Sequence, residues 1–128
     1  MERQLVELGL DPKQYLRRVR DAGKKAGYDP KGISLATDGV HKVEVEGMDA
    51  RGIPLTRRIG AVGYGDFHVY SMLEKKGVVP RGTALQKQTA YLERATKIRG
   101  NWRKDKYSKN MLAILLLWIL MVILPFRT

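Results

Sequence analysis

The chain has 128 residues, of which 24 are Lys or Arg and 13 are Asp or Glu, so its formal net charge at pH 7 is +11. It has no cysteine, which excludes disulfides, thiol nucleophiles and thiolate metal sites. This length allows one modest core, and the positive charge favours anionic partners such as nucleic acid, an anionic lipid surface or an acidic protein face.

The first predicted element is a basic helix near the N-terminus. Asp11 offers an N-cap oxygen, Pro12 suits the first helical position, and apolar residues then recur at helical spacing until the stop signal at Gly27. The opposite face is basic, which favours either an ordinary solvated surface or contacts to an anionic partner. The candidate contacts are Arg17, Arg18, Arg20, Lys24 and Lys25.

The hydrophobic period changes to two between Ile33 and Ile59, which predicts a three-stranded antiparallel meander. Asp38-Gly39 predicts a hairpin turn between the first and second strands, and residues 47–52 predict the turn between the second and third. Pro54 predicts that the third strand lies at an edge of the sheet or starts one residue later.

Residues 60–67 (GAVGYGDF) form a glycine-rich segment between the last strand and the next helix. Their spacing matches neither the Walker A loop nor the dinucleotide-binding fingerprint. We therefore expect a tight turn that packs Tyr64 and Phe67 inward.

Two further helices are predicted, one over Phe67–Lys76 with Asp66 as its cap and one from Thr83 to about Arg99. The expected fold class is therefore α+β. Asp66 and His68 could supply two metal ligands, but no pattern supplies the others. Because no nucleophile signature or carboxylate pair is present either, we expect a non-enzymatic protein with no catalytic residue, metal, cofactor or small-molecule substrate.

Two aromatic residues lie among the cations of residues 97–109, just before the apolar C-terminus. This mixture is typical of a membrane-surface segment and also of a site that stacks on single-stranded nucleic acid. Its position beside an apolar run favours headgroup binding. The candidate headgroup or phosphate contacts are Arg99, Arg103, Lys104, Lys106, Lys109, Trp102 and Tyr107.

Residues 110–126 (NMLAILLLWILMVILPF) carry no charge, and the predicted helix, capped by Ser108, has no polar face. Three interpretations follow: a C-terminal membrane anchor, a helix buried in an obligate assembly, and a core helix of this chain. The length lies at the lower edge of the ~17–25 residues of spanning helices. A body of about 110 residues would have to cover the whole helix on all sides to bury it, which is difficult for so small a domain. The anchor is therefore favoured.

The anchor interpretation divides the chain into a basic α+β domain, 1–109, and an anchor helix, 110–126. The basic flank before the run predicts that the body stays on the cytoplasmic side. A Trp in the middle of the run also favours contact with another protein or helix. The predicted anchor side chains are Leu112, Ile114, Leu116, Trp118, Leu120 and Ile123.

The strings GYGDF (63–67) and GNWRKDKYSKNMLAILLLW (100–118) carry a resemblance. They are similar to a family of small uncharacterised proteins encoded by large double-stranded DNA viruses and related mobile elements. The resemblance implies a viral source and a virion component, and many such viruses enclose a membrane beneath an icosahedral shell. The chain departs from the family pattern at its C-terminus, which is far more apolar.

The resulting functional expectation is a membrane-anchored minor capsid protein that links an inner membrane to the protein shell. Its expected partners are anionic lipid headgroups and other capsid proteins, and its expected location is the membrane–capsid interface of the virion. The alternatives are a basic nucleic-acid-binding module and a tail-anchored protein of a host intracellular membrane that is not packaged.

Overall fold

A three-stranded sheet and five α-helices form the fold in the computed structural model, which describes residues 1–119. The predicted α+β class is confirmed. Short 3-10 turns lie at Pro30–Gly32 and Trp102–Lys104, and a π-helical turn follows the last α-helix at Ala113–Leu117. The principal elements are α1 (Glu2–Glu7), α2 (Pro12–Lys25), β1 (Ile33–Leu35), β2 (Val43–Met48), β3 (Pro54–Ile59), α3 (Phe67–Lys75), α4 (Thr83–Ala95) and α5 (Lys109–Leu112).

The sheet is the predicted antiparallel meander, with strand order β1-β2-β3. Val43 and Val45 of β2 are buried, whereas Glu44 between them points outward and forms an ion pair with Arg58 at 3.0 Å. This alternation buries one face of the sheet, because successive side chains of a strand point to opposite sides.

Helix α2 forms as its sequence predicts. The Asp11 carboxylate accepts a hydrogen bond from the backbone N–H of Lys13, and the apolar stripe from Tyr15 to Ala22 is buried. Gly27 has a φ of 94°, a left-handed conformation that glycine adopts without steric cost, so the chain turns sharply there. The turn leads directly towards β1.

The C-terminal apolar run does not form one long helix in the described residues. The Ser108 hydroxyl caps α5 by accepting a hydrogen bond from the N–H of Met111, as predicted. Helix α5 is only four residues long, and the π-helical turn ends at Leu117, with Trp118 as its C-cap. The Trp118 ring stacks on Tyr91 of α4 with a centroid separation of 4.4 Å.

The expected lipid-facing side chains of this segment lie in the core of the chain itself. Leu112, Ile114 and Leu116 are fully buried, and Trp118 is 8% exposed. The interpretation as a membrane-spanning helix is therefore unsupported for these residues, which pack in the same hydrophobic core as residues of the body. The predicted anchor residues Leu120 and Ile123 lie outside the described residues.

The body can enclose this segment because the segment is short. Leu116 approaches α2 near Gly23, and its carbonyl oxygen is hydrogen-bonded to the His68 side chain of α3. The Trp118 ring lies against α4. About two helical turns need far less covering surface than the seventeen-residue helix that the sequence suggested. Among residues 1–119, no helix has both the length and the hydropathy needed to cross a membrane.

The glycine-rich segment differs from its prediction at one side chain. Phe67 packs against the core, as expected, but Tyr64 is 75% exposed. Gly65 lies so close to the Tyr70 ring that a Cβ atom would overlap it. Tyr70 and Phe67 thus pack at the base of this turn, and Tyr64 points to solvent.

Candidate anion-binding surface and buried polar network

The cations of residues 97–109 are exposed, but the aromatic residues between them are not. Trp102 is 8% exposed, and its indole N–H donates a hydrogen bond of 2.6 Å to the carbonyl of Ile98. Tyr107 lies edge-on to Tyr28, with ring centroids 5.5 Å apart. Stacking of nucleic-acid bases on Trp102 is therefore not supported. The exposed cations are Arg99, Arg103, Lys104, Lys106 and Lys109.

Two hydrogen bonds attach this segment to the C-terminal end of α2. The Lys106 ammonium donates to the carbonyl oxygen of Gly27 at 2.6 Å, and the Tyr28 hydroxyl donates to the carbonyl oxygen of Lys106 at 2.5 Å. The Lys106 ammonium also lies 4.8 Å from the centre of the Tyr28 ring, in a cation–π contact. These contacts bring the last turn of α2 beside residues 104–107.

Strand β3 adds another cation to the same place. The guanidinium of Arg57 donates through Nε to the carbonyl oxygen of Tyr107 at 3.1 Å. A Cβ atom on Gly47 would overlap the Tyr107 ring, so the glycine lets this ring approach β2 closely. The end of α2, strand β3 and residues 104–107 thus contribute cations to one region, which we call the basic surface: Lys24, Lys25, Arg57, Lys104 and Lys106.

The carboxylates close to the basic surface in the sequence are occupied by backbone donors. Asp105 accepts a hydrogen bond from the N–H of Tyr107 at 2.9 Å, and Asp29 accepts one from the N–H of Lys31 at 3.0 Å. Neither forms an ion pair with a cation of the basic surface among the described residues. Asp49 and Asp105 line the same cavity as Arg57, Lys104 and Lys106. Three cations therefore face two carboxylates there, and the local charge is net positive.

The candidate contacts on α2 divide into two groups. Arg17, Lys24 and Lys25 are exposed, as a binding face requires. Arg20 and Arg18 are partly buried, because Arg20 Nε donates to the carbonyl oxygen of Ile33 at 2.9 Å and Arg18 Nε donates to Nδ1 of His68 at 3.2 Å. These two arginines therefore also hold the fold together.

Asp66 is the centre of a buried polar network. The Tyr15 hydroxyl donates to its Oδ2 at 2.6 Å, the Lys42 ammonium donates to the same oxygen at 3.1 Å, and the N–H of Val69 donates to Oδ1 at 2.9 Å. Burial, and then the charge of Asp66, raise the pKa of Tyr15 well above its ordinary value. The tyrosine therefore acts as a permanent donor to the carboxylate.

His68 extends this network to the C-terminal segment. Its Nε2 lies 2.7 Å from the carbonyl oxygen of Leu116, so Nε2 carries the hydrogen and Nδ1 accepts from Arg18. Burial lowers the pKa of His68, although the charge of Asp66 and the bond to Leu116 act in the opposite direction. The neutral imidazole is thus the form that fits this site.

The network stabilises the fold from within the core. Lys42 is 2% exposed and Asp66 and His68 are each 1% exposed, so solvent does not reach them. The sequence suggested a helix cap at Asp66, which is confirmed, but gave no sign of its bonds to Tyr15 and Lys42. These partners are 51 and 24 residues away, beyond any local pattern.

Comparison with known proteins found no matching family model, no similar curated protein and no similar solved structure.

Proposed function

We propose that this protein is a non-enzymatic binding protein that contacts the phosphate backbone of nucleic acid through the basic surface. The observation that carries the proposal is the attachment of Lys106 to Gly27, which brings the cations at the end of α2 beside those of residues 104–106. Phosphate contacts of this kind supply affinity without reading the sequence of the bases.

The inward position of Trp102 favours backbone binding over base stacking. Stacking platforms on single strands need exposed aromatic faces, whereas the basic surface offers ammonium and guanidinium groups. Binding should therefore be largely independent of sequence. Each phosphate contact to a duplex contributes about −0.9 to the slope of log affinity against log salt, so five cations predict a slope of about −4.5.

The test is an anisotropy titration of the full chain with labelled duplex DNA at several salt concentrations. Lys25→Gln with Lys104→Gln removes two exposed cations of the basic surface. Arg3→Gln with Arg81→Gln removes the same charge from α1 and from the α3–α4 loop. We expect the first pair to reduce the salt slope by about two and the second to leave it nearly unchanged. Equal effects of both pairs, or no salt-dependent binding, would contradict the proposal.

A second candidate is the membrane-anchored virion component that the sequence suggested. The supporting observation is that the uncharged run continues to Phe126, beyond the described residues. In this function residues 111–118 leave the core, with Leu112 and Leu116 exchanging protein neighbours for lipid. Because both environments are apolar, the cost is the lost packing and hydrogen bonding, including the bond from His68.

Flotation with anionic vesicles separates the two candidates. A protein that binds only through its cations should leave the vesicles when salt screens the charges. Retention after a high-salt wash, together with its loss in a chain shortened after Ile119, would favour the anchored component. Association with capsid proteins and location in the virion would then be tested on purified particles of the source virus.

A further inference from the structure

A second group of cations lies around a cavity between the N-terminal half of α2 and helix α3. The cavity has a volume of about 350 Å³. This volume falls at the lower end of the ~300–1,000 Å³ range of small-molecule sites. The polar side chains that line it are Asp11, Gln14, Arg18, Ser71, Lys75 and Lys76.

Arg18 is oriented by a bond that leaves its terminal nitrogens available. His68 donates through Nε2 to Leu116, so its Nδ1 can only accept, and Arg18 Nε donates to it at 3.2 Å. Within residues 1–119, the terminal nitrogens of Arg18 make no hydrogen bond and no ion pair. A partly buried guanidinium held in this way is a pre-organised bidentate donor.

The remaining lining groups increase the positive charge of the cavity. Lys76 is held at the rim, because its ammonium donates to the carbonyl oxygen of Gly9 at 2.6 Å, and Lys75 is exposed beside it. Asp11 is the one carboxylate among the described lining residues, and it accepts a hydrogen bond from the N–H of Lys13. Three cations against one carboxylate favour a dianion in this concave site.

We propose that this cavity binds inorganic phosphate or a small phosphate monoester, with Arg18 in bidentate contact and Lys75 and Lys76 balancing the second charge. Ser71 and Gln14 supply uncharged donors at the same opening. The site does not depend on nucleic-acid binding, because none of its cations belongs to the basic surface. It adjoins the Asp66 network through the bond from Arg18 to His68, but that network is itself closed to solvent.

The experiment is an NMR titration of the full chain with inorganic phosphate and, separately, with glycerol phosphate, at constant ionic strength. We expect saturable shifts of the amides of residues 14–18 and 71–76. Lys75→Gln should weaken binding about tenfold, as expected for loss of one charge-assisted contact. Lys104→Gln makes the same charge change on the basic surface and should have no effect.

Tighter binding of glycerol phosphate would identify a monoester site, and tighter binding of inorganic phosphate a free-phosphate site. Arg18→Gln removes the central donor but also the partner of His68. Lys75 is exposed and, among the described residues, forms no ion pair, so Lys75→Gln tests the site without disturbing the fold. Absence of saturable shifts, or equal weakening by Lys75→Gln and Lys104→Gln, would overturn the proposal. Neither result would alter the duplex-binding test of the basic surface.

Discussion

His68 donates a hydrogen bond of 2.7 Å to the main-chain carbonyl oxygen of Leu116, which lies 48 residues later in the chain. The same ring accepts a hydrogen bond from Arg18, so one neutral imidazole connects α2, α3 and the C-terminal apolar segment. Protonation would turn the accepting nitrogen into a donor that faces the guanidinium. The attachment of the C-terminal segment is therefore linked to the protonation of one side chain.

The first prediction concerns the dependence of stability on pH. The groups that face His68 are Arg18, Lys42, Asp66 and Tyr15, and burial is the main reason that its pKa is lowered in the folded chain. The unfolded chain binds the proton more tightly, at a pKa of about 6.5. The free energy of unfolding should therefore be constant above about pH 6.5 and fall as the pH drops towards the lowered value.

Urea unfolding at a series of pH values from about 8 to about 5 measures this effect. His68→Gln is the matched variant, because an amide can donate to Leu116 but does not titrate. The variant should lose the pH dependence in this range while the parent chain keeps it. The same slope in both proteins would contradict the assignment to His68.

The second prediction concerns the buried pair of Lys42 and Asp66. Lys42→Met leaves a buried carboxylate without its cation and should cost about 3–5 kcal/mol of stability. Asp66→Asn leaves the buried ammonium unpaired and should cost a similar amount. The double variant should lose clearly less stability than the sum of the two single losses, because each single change leaves the other charge buried and unpaired. Additive losses in denaturant unfolding would show that the two groups do not interact.

The third prediction concerns the C-terminal segment as part of the core. Leu116→Ala removes a fully buried side chain and should lower the free energy of unfolding by about 2–5 kcal/mol. A chain that ends at residue 109 should lose cooperative unfolding, because α2 and the sheet would expose their apolar faces. A membrane anchor would leave both properties of the body unchanged. Thermal unfolding followed by circular dichroism distinguishes these results.

Local signals in the sequence were sufficient for most of the fold. Asp11-Pro12 predicted the start of α2, and Asp66 predicted the start of α3. The alternation between Ile33 and Ile59 predicted the sheet in its observed order. Each of these signals lies within a few residues of the feature it specifies, which is why one sequence is enough to find it.

The environment of the apolar run, lipid or protein core, could not be predicted in the same way. Hydropathy indicates that Leu112 and Leu116 avoid water, but it does not distinguish lipid from a protein core. Two contacts hold residues 111–118 in the protein core: the Trp118 ring stacks on Tyr91, and His68 donates a hydrogen bond to Leu116. These contacts join distant parts of the chain, so they appear only when the fold is known.

The candidate surface was predicted in part. The cations around Lys104 and the end of α2 were identified as separate groups, but their meeting depends on Lys106 and Gly27, which are 79 residues apart. Trp102 was expected to face the partner because tryptophan among cations is typical of a membrane surface. The bond from Trp102 to Ile98 instead turns the ring inward.

The most direct test of the core position of the apolar segment uses Trp118 as its own probe. The chain has two tryptophans, so Trp102→Phe leaves Trp118 alone in the full-length protein. We expect its fluorescence to be unaffected by anionic vesicles whose acyl chains carry bromine, even when the protein is bound to them, and to be poorly quenched by acrylamide. Strong quenching by the brominated chains would place Trp118 in lipid and contradict its position in the protein core.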